Sequence, residues 1–145
     1  MRTLLKRDFI VPASLEEAWD HLARVEQWPS WARHIKSATL QPSSVLSSTS
    51  RGAFILAGGV RSSFRMTEWD PPRRWVWVGS FLWLSVEYIH DFEPVDSGHT
   101  RMIWIVNANG FGVSTLGKLF ARIYNSNLDR AIPLLISELE SKESR

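Results

Sequence analysis

The stretch Leu82-Trp83-Leu84-Ser85-Val86-Glu87-Tyr88-Ile89-His90-Asp91-Phe92 decides how the chain is to be read. Side chains of a strand alternate between its two faces, so Leu82, Leu84, Val86, Tyr88, His90 and Phe92 share one face that is almost wholly apolar. Such a face needs a second layer to cover it. Downstream, Val113, Leu116, Phe120, Ile123, Tyr124, Asn127, Leu128, Ala131, Leu135 and Leu139 recur at three- and four-residue intervals. That spacing predicts a helix of roughly 25 residues, well beyond the globular mean of about 11 to 12. Pro133 falls inside it, removes a backbone donor and crowds the preceding turn, which predicts a kink or a break there. The tail from Ser141 to Arg145 is expected to fray.

Outward from this pair, the punctuation from Ala53 onward is that of antiparallel strands joined by short turns. The turns are read at Gly58-Gly59, Asp70-Pro71-Pro72, Gly79-Ser80 and Asp96-Ser97-Gly98, and they cut five strands. Phe64 and Met66 share a face, as do Trp75 and Trp77. For Thr100 to Ala108 the pattern leaves two choices, Met102 and Trp104 inward or Ile103 and Ile105 inward. Leu4 to Val11 reads as a first strand ended by Pro12. Ser14-Leu15-Glu16-Glu17 then has the form of a capping box opening a helix, with Leu15, Ala18, Trp19 and Leu22 on one side. Pro29, within Trp28-Pro29-Ser30-Trp31, stops that helix and opens a short second one. Ile35 to Leu40 is extended, and the Ser/Thr-dominated segment from Gln41 to Gly52 is expected to be the least ordered part of the chain. The order is strand, two short helices, six strands, long helix, in one domain spanning residues 1–145.

Composition narrows the function. The 17 Lys and Arg against 15 Asp and Glu are scattered, whereas a nucleic-acid binder shows a clustered basic footprint. Cysteine is absent from the chain, which excludes disulfides, thiolate catalysis and Cys-ligated zinc. His21, His34, His90 and His99 lie far apart and form no pair of metal-ligand spacing. The start Gly112-Val113-Ser114-Thr115-Leu116-Gly117-Lys118 approaches a phosphate-binding loop, but Leu119 stands where Ser or Thr should hold magnesium. No Gly-x-Ser-x-Gly and no RNA-binding aromatic signature occurs. Without a signal-peptide-like start or an apolar run of membrane-spanning length, the expected location is cytoplasmic. The eight Trp and seven Phe exceed what a core of this size requires and point to walls for a bulky apolar or flat ligand.

The segments Val11 to Trp19, Trp28-Pro29-Ser30-Trp31, Glu68-Trp69-Asp70-Pro71-Pro72-Arg73-Arg74, His90-Asp91-Phe92-Glu93-Pro94 and Gly98-His99-Thr100-Arg101, in this order and spacing, resemble the START-like (SRPBCC) superfamily. Birch-pollen-type and polyketide cyclase/dehydrase-like proteins belong to it. The resemblance implies an α+β helix-grip fold: a seven-stranded curved antiparallel sheet wrapped around a long C-terminal helix, with two short helices between the first two strands. It also implies members that bind sterols, lipids, quinones, polyketides or hormones, a minority of them catalytic. Fold alone does not decide among these.

The leading reading is a non-enzymatic binder or carrier of a hydrophobic small molecule or lipid, with no cofactor, metal or nucleic-acid partner. The sheet offers Phe64, Met66, Trp77, Tyr88, His90 and Trp104 to the ligand, and the helix offers Leu116, Phe120 and Tyr124. His90 and the two tyrosines would orient it by hydrogen bonds. Trp28 and Trp31 are read as packing residues of the short second helix. The rival is a cyclase or dehydratase acting on a polyketide-like substrate, with His90 as general base and Tyr88 or Tyr124 polarising a carbonyl. Phe81 and Trp83, on the opposite strand face, mark a candidate patch for transient membrane contact. The oligomeric state is left open.

Overall fold

A computed structural model describes residues 1–143. The chain runs β1 (Arg2–Val11), α1 (Leu15–Ala23), a 3₁₀ turn (Val25–Ser30), β2 (Ile35–Gln41), β3 (Arg51–Leu56), β4 (Arg61–Asp70), β5 (Arg74–Phe81), β6 (Leu84–Asp96), β7 (His99–Asn109) and α2 (Val113–Glu143). The seven strands form one sheet in the order β1-β7-β6-β5-β4-β3-β2, every neighbouring pair antiparallel. Helix α2 lies across its inner face. The α+β helix-grip architecture expected from the sequence is the one observed.

Local chemistry explains the short elements. Ser14, in extended conformation, accepts a hydrogen bond from the Glu17 N–H and so caps α1. Leu15, Ala18, Trp19 and Leu22 turn inward from that helix. Pro29 sits inside the 3₁₀ turn, and Trp28 is locked there by its indole N–H donating to the Leu22 carbonyl at 2.8 Å. The Ser-rich connection between β2 and β3 is more firmly held than its composition predicts. Leu46 is buried and its N–H donates to the Ala23 carbonyl, while the Ser50 carbonyl accepts from Met66.

Two expectations are corrected and one open choice is settled. Gly79 and Ser80 lie inside β5, and the turn falls three residues later, with Phe81 paired to Leu84 across Leu82 and Trp83. Gly79 is required by close approach: a β-carbon there would stand 2.4 Å from the Ser63 carbonyl oxygen of β4. Leu82 thereby leaves the apolar face of β6 and enters the turn with a left-handed φ of 55°. Helix α2 does not break at Pro133 but runs through it as one 31-residue element. Pro133 is exposed, as is Asp129, whose carbonyl loses its helical donor and faces water. The helix is still intact at Glu143, and residues 144–145 lie outside the described part. In β7 it is Met102 and Trp104 that are buried, which settles the parity left open by the pattern.

The buried residues form two adjoining clusters. The larger fills the grip between the sheet, α1, the 3₁₀ turn and the C-terminal half of α2. The smaller, around Leu84, Val86, Val106 and Ala108, is covered by the first turns of α2. Leu5, Tyr88 and Tyr124 pack against both. Helix α2 is tied to the sheet by Arg7, which donates to the Asn125 and Asp129 side chains, and to α1 by His21 and Glu138 at 3.0 Å.

Candidate functional site

The even positions of β6 carry the centre of the site. His90 is only 4% exposed, and its ring neighbours are all tryptophans. It stacks on Trp75 at 4.6 Å and meets Trp77 edge-on at 4.8 Å; Trp28 and Trp104 close the box at 6.2 Å. Register explains the arrangement, since Trp75 and Trp104 are the direct partners of His90 on β5 and β7. Phe64 stacks on Trp77 at 4.1 Å, and Phe54 bridges Phe64 and Trp28.

Three polar atoms in this shell are fully buried without a hydrogen-bond partner: His90 Nδ1, Trp75 Nε1 and Trp104 Nε1. Removal from water pushes the His90 imidazole down to about 3. The ring is therefore neutral, with one N–H and one lone pair. Buried polar groups in native proteins are nearly always paired. The two indole donors and the imidazole nitrogen thus belong to neighbouring rings of one aromatic shell.

Of the nine residues expected to line the site, the structure brings Phe64, Trp77, His90 and Trp104 into the aromatic cluster, with Met66 packed at its edge. Leu116 and Phe120 belong to the other cluster. Tyr88 and Tyr124 lie at the seam, their rings 6.0 Å apart, one from β6 and one from α2. Burial raises both phenols, Tyr124 to about 12, so both hydroxyls stay protonated and can donate. Tyr88 is two residues from His90 on the same face, which sets their Cα atoms roughly 7 Å apart along the strand. Two contributors were missed. Trp75 shares the parity of Trp77, a signal already present in β5. Trp28 comes from the 3₁₀ turn into the box, and no local pattern reports that. Phe81, expected at an exposed patch, packs instead on Phe120 at 4.8 Å, because the turn lies beyond it.

A separate cleft of about 390 Å³ lies between α1 and the end of α2, lined by His21, Arg24, Gln27, Glu138, Ser141 and Lys142. The residues that line it are all polar or charged. Among the described residues no group of three or more metal-ligating side chains converges.

Several solved structures share the fold. A protein of Thermobifida fusca superposes with a TM-score of 0.75 at 18% identity, over 96% of this chain and 93% of that one. A hypothetical protein of Helicobacter pylori gives 0.77 at 15%, over 92% and 86%. The di-domain ARO/CYC protein BexL of the BE-7585A biosynthetic pathway gives 0.74 at 18%, covering 97% of this chain and 47% of that one. No curated protein matches. The sequence model of the family described as polyketide cyclase/dehydrase and lipid transport matches residues 2–133, nearly the whole chain. By that match, and with the grip, the long helix and the aromatic interior in place, the chain belongs to the polyketide cyclase/dehydrase and lipid transport family.

Proposed function

We propose that this protein binds or carries an apolar small molecule or lipid along the inner face of the sheet, its polar end directed at His90, Trp75 and Trp104. The observation that carries the reading is the trio of unpartnered buried polar atoms set among aromatic rings. A ligand carbonyl or hydroxyl would accept from the indoles, and a hydroxyl would also donate to the imidazole, while the apolar body runs along the seam at Tyr88 and Tyr124. The family description includes lipid transport, which agrees with such cargo. Catalysis by His90 is disfavoured by the same burial: a base held down to about 3 is far from the neutral range in which general bases work best.

The test is native mass spectrometry of the purified protein with solvent extraction of anything released, followed by titration with a fluorescent fatty acid. A bound apolar molecule, and a fall in affinity of about five- to tenfold on His90→Leu, the worth of one neutral hydrogen bond, support the carrier. An empty protein that takes up no probe refutes it. If the released molecule is turned over and His90→Leu slows turnover by about 10² or more, the enzyme reading replaces it.

A further inference from the structure

The register gathers five large exposed apolar side chains at one end of the sheet. Strand β4 begins at Arg61, three residues before the Phe64–Gly79 pair, so the β3–β4 turn with Val60 lies beside the β5–β6 turn with Leu82 and Trp83. Strand β7 pairs Asn109 with Ser85, so the following loop, with Phe111, lies there too. The Trp83 indole N–H donates to the Phe111 carbonyl at 2.7 Å and joins the two loops. Val60, Leu82, Trp83 and Phe111 are 56, 65, 63 and 90% exposed, and Leu119 on the opening turns of α2 adds 52%.

Folding does not explain these residues. Leu82 occupies a left-handed turn position that Gly, Asn or Asp fills with less strain. Gly110 and Gly112, both at positive φ, hold the loop that turns Phe111 outward. The exposed charge around the tip is mostly positive, and the half-buried Glu87 of β6 accepts from Asn107. Arg61, Lys118 and Arg122 are exposed there, and between Asp96 and Asp129 the sequence contains no Asp or Glu at all. Among the described residues no helix is long and apolar enough to cross a membrane. An exposed Trp and Phe on adjoining loops, flanked by cations, are instead the features of a surface that rests in the headgroup layer.

We infer that this end docks onto a bilayer containing anionic lipid, with Leu82, Trp83 and Phe111 inserted and Lys118 and Arg122 on the headgroups. The docked end stands directly over the smaller apolar cluster, where Phe81 meets Phe120. The inference goes beyond the carrier reading and does not depend on it, since docking requires no cargo.

The experiment is co-sedimentation of the full chain with vesicles of phosphatidylcholine alone and of equal parts phosphatidylcholine and phosphatidylglycerol. Binding is expected to the anionic vesicles, weaker at high salt. Reversal of both cations, Lys118→Glu with Arg122→Glu, should weaken it by at least about 25-fold, roughly fivefold for each charge lost. Leu82→Gly separates docking from folding: glycine suits φ 55°, so thermal stability should hold or rise while vesicle binding falls. Phe111→Ser should likewise leave stability unchanged and reduce binding. The inference is overturned if the wild-type protein stays in the supernatant with both vesicles, or if Leu82→Gly and Phe111→Ser bind as the wild type does. It is also overturned if sedimentation velocity shows the wild type self-associating through this end and Phe111→Ser abolishing that association without changing vesicle binding.

Discussion

Replacing His90 with phenylalanine should make the protein less sensitive to acid, and the size of the effect follows from where the ring sits. In the unfolded chain the imidazole titrates near 6.5, whereas burial among tryptophans holds it at about 3 in the folded protein. Between those values the unfolded chain takes up a proton that the folded one refuses. The contribution is therefore fully present above about pH 6.5, is lost as pH falls through the window and levels off below about 3. Each pH unit is worth about 1.4 kcal/mol, so at pH 4 the loss approaches about 3 kcal/mol, a shift of roughly 10 °C in Tm for a chain of this size. The assay is thermal unfolding of wild type and His90→Phe at pH 7 and pH 4. Any packing cost of the larger ring appears at both values and cancels in the difference. His21 and His34, also lowered chiefly by burial, remain in both proteins and cancel too. The variant should gain about 10 °C on the wild type between pH 7 and pH 4. An unchanged difference at the two pH values would refute the reasoning, because it would mean that His90 binds its proton equally well in the folded and unfolded chain.

Further outcomes follow from the packing. Gly79→Ala places a carbon 2.4 Å from the Ser63 carbonyl, so β4 and β5 must part; a loss of about 1–3 kcal/mol is expected in urea unfolding. Arg74 clasps Asp91 with Nε at 2.5 Å and Nη2 at 2.8 Å but is half-exposed. Arg74→Met should therefore cost no more than about 1 kcal/mol, and less in high salt, as denaturant titration at two ionic strengths will show.

Much of the fold was legible because its signals are local. The parity of Leu84 to Phe92, the three- and four-residue spacing from Leu116 to Leu139 and the cap at Ser14 each depend on a few bonds of neighbouring backbone, and each matches the structure. His90 was found the same way, by parity alone. What the pattern could not convey depends on which segments meet. Gly79 reads as a turn residue until β4 is seen pressing against it, and moving that turn by three residues sends Leu82 to the surface and Phe81 inward. Trp28 enters the His90 box because the 3₁₀ turn folds back over β5, 47 positions further along the chain from Trp28 to Trp75. The nine candidate residues divide between two clusters because α2 covers one end of the sheet with its first turns and the grip with its last. The amino-acid sequence by itself determined the elements and which face of each is apolar, since those follow from backbone periodicity. Only the tertiary structure decided which rings surround the imidazole and which stand in water, because those are matters of register and of approach between segments distant in the chain.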